Sequence, residues 1–309
     1  EQMPGNSRSS SSGDTSSPLV DSARQLVAGG GASATAKTVL APFERIRIIL
    51  QNQNMIAEVG HVRYRGPIDA LVRIPREQGF FSFWRGNLAN CIRIMPTYGI
   101  RFILFDHFQR ICGRGYDGST SLPLSRQMAA GALSGASTMV FTYPLDIVRT
   151  RLAADVSKDG VYTGMVDVAK RIVEHEGILG FYKGLAISVL EIAPYTGIAM
   201  GGYEYLRGYA GNDPIKKLLA GWFSGLCASL VCYPLDTVKR QLMLDGALGR
   251  QSRYRGSIAA CIRTLYMEAG IGGFYGGCLV NALKSSPAAA LTFVLNDWLR
   301  ALVGYKRKF

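Results

Sequence analysis

A proline, an acid two residues on and a base three further occur three times in the chain. They are Pro42, Glu44 and Arg47; Pro144, Asp146 and Arg149; and Pro234, Asp236 and Lys239. On a helix, residues three apart project from the same side, so each acid shares a face with its base. Two arrangements suit that spacing. Each acid can pair with its own base on a solvated face, or three helices can converge so that each acid meets a base on a neighbour. A proline inside a helix removes a backbone hydrogen bond and bends the helix, and three charged pairs just past three such bends favour the ring. Pairs of this kind hold and release; they cleave no bond. His61, His107 and His175 stand apart, and the six cysteines show no paired spacing. The expectation is therefore a protein that is not an enzyme, with no cofactor and no metal.

The prolines belong to longer repeats. After each comes Tyr-x-Gly, at Tyr64–Gly66, Tyr162–Gly164 and Tyr254–Gly256. An acid-Gly stretch follows, ending in aromatic-x-Gly: EQGFFSFWRG at 77–86, EGILGFYKG at 176–184 and EAGIGGFYGG at 268–277. Ahead of each motif proline, at one fixed distance, stands Gly29, Gly131 or Gly221, with Ser33, Gly135 or Gly225 four residues later. The first copy, GGGASATAKT at 29–38, imitates a phosphate-binding loop through Lys37 and Thr38. Such a loop must follow a strand and open a helix, whereas this segment runs on apolar to Pro42. Small residues four apart on an apolar helix let a neighbouring helix approach closely, and that is the reading adopted. Lys37 then becomes a charge inside a membrane helix, which is costly and by default functional.

The elements that position these residues are read from hydropathy. Hydrophobic residues make up 48% of the 309-residue chain and charged ones 18%, against about 25% charged in a soluble domain. Two apolar stretches per repeat are long enough to cross a bilayer: 22–50 and 86–110, 125–152 and 184–208, 215–243 and 277–301. Amphipathic segments such as GPIDALVRIPREQ and VDVAKRIVEHE lie between them as short surface helices. The fold class is thus an all-α membrane protein of six transmembrane helices in three tandem pseudosymmetric repeats, at 21–112, 122–210 and 213–303. The Ser-rich residues 1–20 are expected to be disordered. A net charge of +13 suits an anionic solute or lipid; the bases are spread along the chain, which disfavours nucleic acid. Three residues before the proline of each second helix come Arg93, Glu191 and Lys284. These are symmetry-equivalent positions, and side chains facing one cavity there would read a solute.

On these motifs the chain resembles the mitochondrial carrier family, over about residues 21–309, and is closest to its ADP/ATP, coenzyme A and ATP-Mg/phosphate branches. The resemblance implies a threefold pseudosymmetric barrel in the inner mitochondrial membrane, working as an alternating-access antiporter with a monomer sufficient. It implies a matrix gate that pairs Glu44 with Arg149, Asp146 with Lys239 and Asp236 with Arg47, with Gln51 bracing one pair. It implies a cytoplasmic gate of Asp106 and Gln109, Glu204 and Arg207, and Asp297 and Arg300; Gln109 stands where the pattern has a base. Cardiolipin would sit at Gly66, Gly86, Gly164, Gly184, Gly256 and Gly277, on backbone N–H groups at helix N-termini. Arg93, Lys284 and Lys37 match bases that hold the phosphates of an adenine nucleotide, and Glu191, Ile192 and Tyr195 stand at the second contact point. Glu191–Ile192 replaces the glycine-plus-aliphatic pair of nucleotide carriers, and KRQLML at 239–244 replaces the arginine–methionine run of the ADP/ATP branch. These departures leave open a carrier of an amino-acid-like zwitterion held by Glu191, or a carrier fold kept as a structural subunit of a larger membrane complex.

Overall fold

The computed structural model describes residues 18–57, 63–113, 123–157, 160–211 and 213–284, with side chains from residue 30 onward. The Ser-rich stretch up to residue 17, His61, Asp297 and Arg300 lie outside the described residues. Among the described residues there are five long helices: α1 (Pro18–Gln51), α4 (Asn87–Cys112), α5 (Leu124–Ala154), α7 (Leu185–Ala210) and α8 (Pro214–Leu244). The chain is helical again from 278 to 284. Short helices lie between: α2 (Gln53–Ala57), α3 (Pro67–Gln78), α6 (Met165–Glu176) and α9 (Ile258–Gly273), with 3-10 turns at Phe80–Trp84 and Ile178–Tyr182. The shortest long helices have 26 residues, or about 39 Å at 1.5 Å per residue, enough for a hydrocarbon core of about 30 Å.

Among the described residues two segments, Ile178–Tyr209 and Ile215–Leu244, are apolar enough to cross a membrane by length and composition alone, fewer than the six spans expected. Most of the sixth expected span, 277–301, lies outside the described residues; for the others the physical reason lies in where the charges go. α1 carries Lys37, Glu44, Arg45 and Arg47, and α5 carries Asp146, Arg149 and Arg151. These dilute the apolar count but turn inward, whereas Val39, Phe102, Phe141, Leu190 and Val231 stand exposed on the outside. An apolar exterior around a charged interior is the inverse of a soluble domain.

Residues 29–38 are helical throughout, so Lys37 sits on α1 and not on a phosphate loop. Pro42, Pro144 and Pro234 each lie inside a helix. Pro42 has no N–H for the carbonyl of Thr38, one turn earlier, and the Trp84 indole N–H donates to that carbonyl at 2.9 Å. The freed backbone acceptor is satisfied by the aromatic of the downstream motif. Small residues set the helix spacing, since a Cβ on Gly202 of α7 would meet the Ser224 hydroxyl of α8 at 2.9 Å.

The start of each second helix in a repeat is fixed by one glycine. Gly86, Gly184 and Gly277 have φ of +81°, +83° and +74°, and a Cβ there would lie 2.9, 3.0 and 2.9 Å from the backbone carbonyls of Arg149, Lys239 and Arg47. Only glycine accepts both the left-handed backbone and the contact. Each helix thereby rests on the motif base of another repeat, and the repeats lock together in a cycle.

At this end of the bundle two arginines are almost fully buried. Arg45 donates to the carbonyls of Ala153 and Asp155 and to Gln78 Oε1, at 3.3, 2.6 and 2.6 Å, and also to the Ser82 carbonyl. Arg151 makes an ion pair with Glu176 and donates to the Met243 carbonyl at 3.1 Å; Lys183 holds the same carboxylate at 2.7 Å. Burial by itself would raise the Glu176 carboxyl, but Arg151 and Lys183 overcome it and hold the group below the usual carboxylate range. The Asp155 carboxylate accepts from the N–H of Val161 and of Tyr162, and that of Asp245 from Arg253 and Tyr254. These two acids, at the ends of α5 and α8, pin the chain as it enters two of the Tyr-x-Gly segments.

Candidate functional site

The motif acids and bases gather at the floor of a central cavity. Arg149 of α5 pairs with Glu44 of α1, and Arg47 of α1 with Asp236 of α8. Gln51 Nε2, one turn past Arg47, donates to Asp236 Oδ2 at 3.1 Å and to the Thr237 hydroxyl at 2.8 Å, so it braces that pair from below. Arg240 also reaches Asp236, at 3.2 Å. Its base directly follows Lys239 in the sequence, a cue that the motif spacing passes over.

The third expected pair, Asp146 with Lys239, does not form. Asp146 takes Arg93 Nη1 at 3.1 Å, and Lys239 Nζ sits 2.7 Å from Glu191 and 3.2 Å from Asp236 on its own helix. The cause is the acid at position 191. It offers Lys239 a second carboxylate on α7, while Arg93 on α4 neutralises Asp146. The intrahelical and interhelical arrangements therefore coexist, since Lys239 makes one contact of each kind.

A cyclic pattern follows. Arg93 of the first repeat holds Asp146 of the second. Glu191 of the second holds Lys239 of the third. Lys284 of the third holds Glu44 of the first, at 2.9 Å. Each of these symmetry-equivalent positions grips a motif residue of the next repeat, with the sign inverted in the middle copy. Side chains in the five interhelical pairs are 10–22% exposed, so they are sheltered without being sealed. Lys37 is half-buried, within electrostatic reach of Arg93 and Arg149, and has no hydrogen-bonding partner among the described residues. Ile192 and Tyr195 follow Glu191 on α7, with Tyr195 exposed.

The opposite end differs. Glu204 and Arg207 lie 3.9 Å apart on one helix, and no ion pair joins them, Asp106 or Gln109 to another helix among the described residues. No group of three or more metal-ligating side chains gathers among the described residues.

Tandem repeats with an apolar exterior, a charged cavity and a floor of breakable interhelical pairs define a membrane solute carrier. Over residues 20–115, 120–214 and 210–307 the sequence matches the family of the mitochondrial carrier protein, and the chain belongs to that family. It is 35% identical over 291 residues to ADP/ATP translocase 4 of Bos taurus, covering 91% of this chain and 89% of that one. It is 36% identical over 292 residues to ADP/ATP translocase 3 of Homo sapiens, covering 91% and 97%. Members of the family are multi-pass transporters of the inner mitochondrial membrane, which gives the chain its location.

Proposed function

We propose that the protein exchanges adenine nucleotides, or closely related phosphorylated cofactors, across the inner mitochondrial membrane. The observation that carries this reading is the base excess at the cavity floor. Among the described residues, Lys37, Arg47, Arg93, Arg149, Lys239, Arg240 and Lys284 face only Glu44, Asp146, Glu191 and Asp236. The unpartnered Lys37 lies beside the paired Arg93, and a polyphosphate suits both. Likeness to ADP/ATP translocases supports the same class of solute.

The geometry suggests how binding works on the gate. Arg93 and Lys284 are the bases that an anionic solute would draw on, and they hold Asp146 and Glu44 in the floor. Phosphates that take over these bases release the acids, so binding energy is spent against the closed floor. A ligand shifts a two-state equilibrium only by its differential affinity for the two states. A floor of partly exposed pairs, each contributing about 0–1 kcal/mol, is within reach of that difference. Release at the matrix end leaves the mouth residues Asp106, Gln109, Glu204, Arg207, Asp297 and Arg300 to close the other side. The six glycines of the Tyr-x-Gly and aromatic-x-Gly segments are the proposed cardiolipin positions, with Gly66 and Gly164 at the N-termini of α3 and α6. One chain suffices for the cycle.

Thermal unfolding of the purified protein with ADP, ATP, AMP, coenzyme A, phosphate and amino acids tests this. Adenine nucleotides should raise the midpoint, by the equivalent of about 2.7 kcal/mol at a hundredfold excess over the dissociation constant. Arg93→Ala and Lys284→Ala should abolish the rise. A rise with an amino acid and none with any nucleotide would overturn the proposal.

A further inference from the structure

The three repeats are not alike where each second helix begins. The residue just before the motif proline is Tyr143 in the second repeat and Tyr233 in the third, but Ala41 in the first. The Tyr143 hydroxyl donates to the Lys183 carbonyl at 3.0 Å, and the Tyr233 hydroxyl to the Gly276 carbonyl at 2.8 Å. Both carbonyls directly precede the motif glycine. The Ser188 hydroxyl, four residues past Gly184, lies 3.1 Å from that of Tyr143, and Arg47 lies over the Tyr233 ring, 5.3 Å from its centre. Tyrosine thus seals two of the three joints, and in the third repeat it also covers a base of the floor. Ala41 can do neither. The first repeat has instead a cavity of about 20 Å³ between α1, α4 and α5, whose wall includes Ala41, Glu44, Phe83, Asn87, Asn90 and Arg149.

Two amide oxygens at this wall, Asn87 Oδ1 and Asn90 Oδ1, are buried without a partner among the described residues. Asn90 is 2% exposed and stands four residues past Gly86, the position that Ser188 holds in the second repeat. The Asn87 amide nitrogen donates to the Thr38 hydroxyl at 3.0 Å, and that hydroxyl itself donates to the Ala34 carbonyl at 2.8 Å. The orientation of the Asn87 amide is therefore fixed, and its oxygen needs a donor from elsewhere. A buried acceptor left unmade is costly. The chemistry of the wall selects the occupant. Arg45, Arg85 and Arg149 border the space and exclude a cation, whereas two oxygens that need donors exclude an anion. One water needs about 10–15 Å³, so the cavity has room for one and for no larger polar group.

We propose that this cavity binds a single water molecule, which donates to the buried oxygens of Asn87 and Asn90 and does in the first repeat what a tyrosine hydroxyl does in the other two. Glu44 and Arg149 border the same space, so the water also lies against their pair. Of the two motif pairs that join helices, Glu44–Arg149 is then the wet one and Arg47–Asp236 the one covered by an aromatic ring. Charges that part beside water lose less solvation than charges that part under a ring, so the first repeat supplies the pair that yields more readily. The inference holds whatever the solute.

X-ray radiolysis of the full chain in detergent, read by mass spectrometry, tests this. It makes hydroxyl radicals from water where the water is bound, whereas radicals made from peroxide in the bulk reach only the surface. Phe83, at the cavity wall, is compared with Tyr143 and Tyr233 at the sealed joints; the three are 4%, 1% and 1% exposed. Radiolysis should oxidise Phe83 several times faster than either tyrosine, and peroxide should leave all three unmodified. Asn90→Leu removes an acceptor and Ala41→Val fills the space; each should bring Phe83 down to the rate of the tyrosines, and either variant serves if the other does not fold. Phe83 oxidised no faster than the tyrosines in wild type, oxidised as strongly by bulk peroxide, or oxidised unchanged in the variants would overturn the site.

Discussion

The two ends of the cavity use the same residue types to different effect. At the floor, acids and bases from different helices meet, and their side chains are 10–22% exposed. At the mouth, Glu204 and Arg207 are 61% and 54% exposed and, among the described residues, reach only each other, one turn apart on α7. The difference lies in which helix supplies the partner. A pair within one helix says nothing about how helices are arranged, whereas a pair between helices fixes their approach. The described state is therefore closed by ion pairs at the floor. A third region sharpens the contrast. Arg151 and Glu176, at the same end of the bundle as the floor, are 2% and 9% exposed. That pair has no need to open and is buried accordingly.

The largest expected effect falls on the pair that does not open. Glu176→Leu leaves Arg151 buried without its carboxylate and should cost about 3–5 kcal/mol in unfolding stability, read by thermal unfolding in detergent. A loss below about 1 kcal/mol would put this pair on a level with an exposed one and erase the contrast. Acid should act in the same direction. The Glu176 carboxyl is held below its ordinary value of 4.5. Its contribution is complete above that value and fades as pH falls through the lower, folded one. Glu176→Gln should remove that part of the acid sensitivity, and an unchanged pH profile would count against the assignment.

Effects at the floor should be smaller. Asp236, which Arg47, Lys239, Arg240 and Gln51 all approach, should cost about 2 kcal/mol as Asp236→Asn, the worth of a hydrogen bond to a charged group. The same change should raise solute leak through liposomes, because it weakens the closed floor. A double-mutant cycle between Glu191 and Lys239 should give a coupling of about 1 kcal/mol, and one between Asp146 and Lys239 a value near zero. The reverse ranking would restore the expected third gate pair. The smallest effect belongs to the mouth, where Glu204→Gln should change stability by less than about 0.5 kcal/mol.

Much of the floor was legible before the fold was known, because a threefold repeat carries its own register. The spacing favoured a ring of cross-helix pairs, and the family resemblance supplied the particular pairs Glu44 with Arg149 and Asp236 with Arg47, together with the Gln51 brace. The swap of Lys239 from Asp146 to Glu191 was not legible. It depends on the reach of a carboxylate on α7 towards α8, which no periodicity encodes. Arg45 and Arg151 were missed for a related reason. Each lies near the motif but turns away from the cavity; the acceptors of Arg45 are mostly backbone carbonyls far along the chain, which leave no mark on residue type, and Arg151 divides its bonds between two such carbonyls and Glu176. The aromatic-x-Gly motif was read for its glycine as a lipid contact. The structure adds a steric cause, the carbonyls of Arg149, Lys239 and Arg47 that press on those glycines.

The most direct test of the account is counter-exchange by the purified protein in cardiolipin-containing liposomes. Labelled ADP should enter vesicles loaded with ADP or ATP and not empty ones, because a floor opened by phosphates on Arg93 and Lys284 needs a bound nucleotide to swap sides in each direction. Lys37→Ala should abolish the uptake while the protein remains folded. Equal uptake into empty and loaded vesicles, or full exchange by the Lys37 variant, would contradict the claim that this charged floor is at once the solute site and the gate.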